Sequence, residues 1–344
     1  MRASAQTQTA AWTRSLRLFF CLCAIAATAH AQKLTITLVG TGGPELTPDR
    51  SGIATLVRSG DDTLLIDAGR NTLDNLYRAG IDPNTVKTLL LTHLHSDHIS
   101  GLPDLWITPW FLLHRTGGLT IYGPRGTQQM VNGMRAMYTH DLVARANPTA
   151  LVRDLDIHVI ELEDAADFQI NGFSVRAKTV QHADGNPAFA FLIRNGSHSV
   201  FLTGDCTLTP ELLQAAPRVD VLIANVAAGT PAQEGLAQWK PVFAKLLTVA
   251  QAAQLFSASK PGLAVYSHIV TKGRVPDATL IERTRKAGYG SPPRGARCHA
   301  HHVGPRHRCP EKPRSDRVGR RRAPVKCGGA ANPPTRLAIL DTES

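Results

Sequence analysis

Cysteine pairs, aromatic density and a long apolar run are the main things this 344-residue chain lacks. It has six cysteines, none of them in the close C-x2–4-C pairs of a zinc knuckle, and its length excludes a disulfide-stapled mini-protein. Phe, Trp and Tyr make up 6%, yet 43% of residues are hydrophobic, enough for a sizeable core and too many for a disordered chain. The apolar run Leu18–Ala27 is too short to cross a bilayer comfortably. The formal charge of +11 would ordinarily point to nucleic acid or an anionic membrane. Split along the chain, it does not.

Residues 1–31 carry Arg2, Arg14 and Arg17 and no acid, whereas residues 291–344 carry 12 basic and 4 acidic side chains. Residues 32–290 hold 23 of each sign, so the middle of the chain is neutral. The first 31 residues read as a secretory signal: basic residues, the short apolar run, then Ala29-His30-Ala31 as a cleavage site. Cleavage is expected after Ala31, leaving a periplasmic or secreted protein without a stable membrane anchor. Residues 291–344 have eight prolines, no Phe, Trp or Tyr, and the run Gly319-Arg320-Arg321-Arg322. Such a composition cannot offset its ordering entropy and predicts a disordered tail.

The neutral middle alternates strands and helices in two similar halves. Strands are expected at Leu34–Leu38, Ile53–Arg58, Thr63–Ile66, Thr88–Leu91, Leu119–Tyr122, Ile157–Leu162, Phe173–Val180, Phe189–Ile193, Val200–Leu202, Val219–Ile223 and Leu263–Tyr266. Helices are expected at Asn71–Ala79, Arg125–Arg145, Pro210–Ala215, Pro241–Ser259 and Asp277–Ala287. This order predicts an α/β fold, a four-layer αβ/βα sandwich with two sheets face to face and helices outside. Trp106, Trp110 and Phe111 read as core packing. Loops at Trp106–Gly118 and Ala227–Gln238 are expected to shape a pocket.

The chemistry lies in Thr92-His93-Leu94-His95-Ser96-Asp97-His98, directly after a buried strand. Three imidazoles and a carboxylate in six residues are ligands of the kind that hold Zn²⁺. His93 and His95 lie two apart, so on an extended segment they point the same way. Asp97 and His98 follow as the chain turns, and can face a second ion. Four residues cannot fill two sites, so His182, Asp205 and His268, each placed at a strand end, are the further candidates.

Together with Asp67-Ala68-Gly69 and Thr203-Gly204-Asp205, these motifs make the segment from Lys33 to Gly290 resemble the metallo-β-lactamase superfamily. Gly40-Thr41-Gly42-Gly43-Pro44 and Thr92–Leu102 are closest to its ribonuclease Z and arylsulfatase-like branch. The resemblance implies two zinc ions, with Mn²⁺ or Fe as other occupants. His93, His95 and His182 would bind one, Asp97, His98 and His268 the other, with Asp205 bridging and Asp67 supporting the loop. A water shared by two such ions has its pKa lowered toward about 7, and Asp97 is the natural acceptor of its proton. The expected activity is hydrolysis of a small-molecule phosphate or sulfate ester.

Three alternatives stand beside it: a ribonuclease Z-type tRNA endonuclease, a lactamase or lactonase, and a zinc-stabilised binding protein without turnover. The export signal and the neutral domain argue against nucleic acid. So does Ala224-Asn225-Val226-Ala227-Ala228, where ribonuclease Z carries a His-Glu-Ala-Thr-like segment. The oligomeric state is left open, a homodimer included.

Overall fold

The computed structural model describes residues 34–147 and 151–290, together with the backbone of 298–303 and 335–340. The expected signal at residues 1–31 and most of the tail lie outside the described residues. No helix among the described residues is long and apolar enough to cross a membrane.

Fourteen strands form two sheets among the described residues. The first contains β1 (Leu34–Gly40), β2 (Ala54–Ser59), β3 (Asp62–Ile66), β4 (Thr88–Leu90), β5 (Leu119–Gly123) and β6 (Ile157–Glu161). The second contains β7 (Asp167–Ile170), β8 (Phe173–Val180), β9 (Ala188–Asn195), β10 (His198–Leu202), β11 (Val221–Gly229) and β12 (Leu263–Lys272). Two strands of the tail, β13 (Cys298–Val303) and β14 (Thr335–Leu340), pair with each other and extend the first sheet past β1. They fall within the segment whose composition predicts disorder.

Each sheet begins antiparallel and ends parallel. In the first, β1–β2–β3 are antiparallel and β3–β4–β5–β6 parallel. In the second, β7–β8–β9–β10 are antiparallel and β10–β11–β12 parallel. Parallel neighbours need crossover helices, and these cover the outer faces. Alternation along the strands then sorts the apolar side chains into layers. Leu34, Ile36 and Leu38 of β1 meet Phe173 and Val175 of β8, Phe189 and Phe191 of β9, and Val221 and Ile223 of β11 between the sheets. Leu56, Leu65 and Leu89 point outward onto Leu73, Leu102, Trp106 and Val131 of the covering helices. Phe201, Leu222 and Ala224 meet Leu212, Leu255 and Phe256 on the opposite outside. Three apolar layers between four structural layers make the predicted sandwich.

Several elements differ from expectation. Leu102–Leu112 is a helix rather than a pocket loop. Its Trp106 and Trp110 indoles are buried and donate to the Leu155 and Leu151 carbonyls at 2.9 and 3.0 Å, which takes them away from any pocket. The expected helix Arg125–Arg145 is two helices, Thr127–Met137 and Thr139–Arg145, broken at Tyr138, whose ring packs edge-on to Trp106. The region Pro241–Ser259 is also two helices, Lys240–Lys245 and Val249–Ser259. Between them Leu246 and Leu247 are buried, and the Leu247 carbonyl accepts from Ala227 N of β11 at 2.8 Å. β11 and β12 run past their expected ends, and β7 is an additional edge strand.

Candidate metal centre

β4 is buried along its length between β3 and β5, so the chain leaves it at one fixed place on the sheet edge. His93 and Leu94 lead to His95, which is extended at φ −63° and ψ 147° before the single helical turn Ser96–Ile99. The extended part aims His93 and His95 to one side, and the turn brings Asp97 and His98 back beside them. Asp67, just after β3, holds this loop. Its carboxylate accepts from Thr92 N at 2.8 Å and from Thr92 Oγ1 at 2.9 Å, and lies 2.8 Å from His98 Nδ1. Asp67 has a left-handed backbone, φ 59°, an uncommon conformation that is kept when surrounding bonds over-determine it.

The second sheet supplies the rest from separate strand ends. His182 follows β8, and its Nδ1 lies 2.9 Å from the Lys245 carbonyl. Asp205 follows β10 behind Gly204, which is left-handed at φ 57°; a Cβ there would lie 2.6 Å from the Phe189 carbonyl, so only glycine fits. His268 was expected just after a strand ending at Tyr266 but lies within β12, at a bulge. Opposite β12, Ala224 pairs with Tyr266 and Val226 with Ile269, leaving Ser267 and His268 against Asn225 alone. The extra residue and the φ of 47° at His268 turn its ring out of the ladder toward the other donors.

All seven predicted donors converge, and all but His95 are buried. Three overlapping groups bring ligand atoms within 4.8 Å of one another: His93, His95 and His182; His93, His98 and Asp205; and Asp97, His98 and His268. His93 Nε2 stands 2.9 Å from His95 Nδ1, and His182 Nε2 stands 3.2 Å from the same atom. Asp205 lies 3.0 Å from His268 Nδ1, 3.6 Å from His182 Nε2 and 3.7 Å from His98 Nε2. It is therefore the residue the two ends of the cluster share.

The tautomers follow from the outer partners. A ring nitrogen beside an obligate acceptor must carry its proton there. His182 Nδ1 therefore donates to the Lys245 carbonyl and His98 Nδ1 to Asp67, so that in both rings Nε2 is the nitrogen that faces inward. Buried His98 Nε2 has no hydrogen-bond partner, and His268 Nδ1 and Asp205 Oδ1 stand 3.0 Å apart without a hydrogen bond. Orphaned polar atoms in a buried cluster cost about 1–3 kcal/mol each unless something satisfies them. Imidazole lone pairs and carboxylate oxygens aimed at common points fit divalent cations.

The electrostatics agree. Burial and the surrounding imidazoles hold His93 well below its ordinary pKa, so it stays neutral. Burial also lowers His182. At Asp97 burial opposes ionisation, but the His268 hydrogen bond and nearby His98 outweigh it and keep the carboxylate ionised. At Asp205 burial is likewise outweighed by His268 and His98. Burial opposes a charge on His98 too, yet Asp67 and Asp205 raise it well above its ordinary value. Carboxylates that draw a proton into this spot would draw a metal ion into it.

Sequence reasoning missed the backbone partners, above all the Lys245 carbonyl, and the amide of Asn225. It also missed Gly185, where a Cβ would lie 2.1 Å from His182 Cδ2 and 2.9 Å from His95 Cε1.

The family model of the anti-Pycsar protein Apyc1 matches residues 34–232. Ribonuclease Z of Mycobacterium bovis is 36% identical over 196 residues, which is 56% of this chain and 70% of that protein. The metallo-β-lactamase fold protein YhfI of Bacillus subtilis superposes with a TM-score of 0.58 at 18% identity, covering 76% of this chain and 95% of its own. The short form of human tRNase Z gives a TM-score of 0.55 at 22% identity, covering 70% and 96%. The two structures agree in fold with the sandwich described above. A ribonuclease among the sequence relatives weakens the ground on which the neutral domain argued against nucleic acid.

Proposed function

Because the chain belongs to the family of the anti-Pycsar protein Apyc1 and is a metallo-β-lactamase superfamily hydrolase related to ribonuclease Z, we propose that it hydrolyses phosphate diesters at a two-metal centre. The observation that carries this reading is the place of Asp205 between the two donor triads, 3.6 Å from His182 Nε2 of one and 3.0 Å from His268 Nδ1 of the other, with inward-facing atoms on His98, His268 and Asp205 that no hydrogen bond satisfies. In this reading His93, His95 and His182 would hold one ion and Asp97, His98 and His268 the other, with Asp205 available to both groups. The histidine-rich donor set favours zinc, and Mn²⁺ or Fe fits the same atoms. Bound there, the ions would supply Lewis acidity toward a phosphoryl oxygen and water acidic enough to act at neutral pH.

The chain's own residues do the remainder. Asp97, kept ionised beside His268, is the base that takes up the proton released as water adds to the ester. Asp67 and the Lys245 carbonyl fix which nitrogen of His98 and His182 faces inward. Burial of six of the seven donors keeps bulk water from competing with the substrate's oxygens. Phosphate is placed before sulfate because of the relationship to ribonuclease Z, an enzyme of phosphodiesters by its name.

The same relationship supports a second reading, an RNA substrate. Against it stands Ala224-Asn225-Val226-Ala227-Ala228, where ribonuclease Z carries a His-Glu-Ala-Thr-like segment. One panel separates these: the purified protein, with metal analysis, on an aryl phosphate diester, an aryl sulfate, a β-lactam, a lactone and a 3′-extended tRNA precursor. The expected result is diester hydrolysis, abolished by a chelator and restored by zinc. Efficient cutting of the tRNA precursor with negligible diester turnover would replace the first reading with the second. Two bound metals without turnover on any substrate would favour a binding protein. Export is part of the proposal, tested by N-terminal sequencing of protein recovered outside the cytoplasm, where residue 32 is the expected start.

A further inference from the structure

Asn225 is buried, carries no charge and has no place among the metal-ligand candidates, yet it ties together the segments that present the second sheet's donors. Its Nδ2 donates to the Gly204 carbonyl at 2.9 Å and to the Cys206 carbonyl at 3.2 Å, the residues on either side of Asp205. Its Oδ1 accepts from Leu247 N at 2.9 Å, two residues beyond the carbonyl of Lys245 that orients the His182 ring. Its backbone N–H donates to Thr203 Oγ1 at 3.2 Å, at the start of the same turn. On β11 it is the single residue facing the Ser267–His268 bulge of β12.

The amide can sit only one way. Gly204 and Cys206 offer acceptors, and Leu247 offers a donor, so a flipped amide would lose every one of these bonds. A side chain with two donors on one end and an acceptor on the other is what this place requires, and Asn supplies it at the right length.

We propose that Asn225 is the positioning residue of the metal centre: its amide clamps the Gly204–Cys206 turn to the Lys245–Leu247 segment, fixing Asp205 and His182 relative to each other. This rests on reading those two residues as ligands. Asp205 lies 3.6 Å from His182 Nε2, and a shift of either segment would change the span that the shared carboxylate must bridge. The partners that orient ligands are typically worth 10–100-fold in metal affinity.

The test compares wild type, Asn225→Ala and Asn225→Asp as full-length proteins. Zinc affinity is measured by competition with a chromophoric chelator, Co²⁺ absorption spectra report the ligand geometry, and melting of the metal-free proteins controls for folding. Asn225→Asp keeps the acceptor for Leu247 N and loses the donors to the turn. Charge alone would make it bind zinc more tightly, whereas loss of the clamp makes it bind more weakly. The expected result is an affinity loss of about 10–100-fold in both variants, with an altered Co²⁺ spectrum. Should Asn225→Ala fail to fold, Asn225→Asp decides the matter. Unchanged affinity and spectrum, with only a lower melting temperature, overturns the clamp and leaves a structural amide. Tighter binding in Asn225→Asp overturns it as well. Failure of the wild-type protein to bind zinc or Co²⁺ overturns the clamp together with the metal reading on which it rests, and so differs from failure of the clamp alone.

Discussion

In the first sheet four donors lie within six residues, on one loop after β4, whereas in the second sheet His182, Asp205 and His268 come singly from the ends or bulge of three strands. The loop is self-organised. An extended segment and one helical turn present its side chains, and a single carboxylate, Asp67, ties it down through Thr92 and His98. The second set has no local device. Its members depend on the register of β8, β10 and β12 and on bonds between distant segments, such as Lys245 to His182 and Asn225 to the Asp205 turn. One half of the site is thus a motif and the other half is a product of the fold.

That contrast can be broken or sharpened by mutation. The largest effect is expected at Asp205, the residue both donor groups share. Asp205→Ala should remove both ions and several kcal/mol of transition-state stabilisation, roughly a 10³-fold or greater loss of kcat/KM. Retention of one tightly bound ion and most of the activity would show the two halves to be independent. Asp67→Asn comes next. Asn tolerates the left-handed backbone, so the loop should keep its shape while His98 loses its charged partner. A loss in metal affinity of about 10–100-fold is expected, confined to the ion nearest His98. Trp106→Ala separates stability from chemistry. Removing this buried indole from the outer layer should cost about 3–5 kcal/mol of stability, read by denaturant unfolding, and leave metal affinity per folded molecule unchanged. The smallest effect is expected from deleting residues 291–344. Activity should stay within about twofold of the full chain, a difference under roughly 0.5 kcal/mol; a large loss would give the tail, including β13 and β14, a share in the working domain.

How far the sequence reveals the molecule follows the same division. The His93–His98 loop is legible because its chemistry is contiguous and follows a short, fully buried strand. His182, Asp205 and His268 are legible only as polar residues at strand ends, and the placing of His268 beyond a strand ending at Tyr266 misses the bulge. A bulge adds one residue without changing the alternation around it by much, so periodicity cannot announce it. The layers are legible from the order of strands and helices. The helix Leu102–Leu112 is hidden by its composition: apolar on nearly every side and interrupted by Pro109, it shows no helical stripe. Asn225 and the Lys245 carbonyl are invisible for a different reason. A single amide or a main-chain oxygen acquires its role only when remote segments have been brought against it.

The measurement that bears most directly on the central claim is a titration of the metal-free, full-length protein with Zn²⁺, followed by calorimetry and checked by metal analysis. Two equivalents per chain are predicted, both lost in Asp205→Ala. Binding should also raise the melting temperature, since about 2.7 kcal/mol of stabilisation at 100 times Kd corresponds to on the order of 5–10 °C. Binding of no zinc, or of a single equivalent unaffected by Asp205→Ala, would contradict a centre built from two triads sharing that carboxylate.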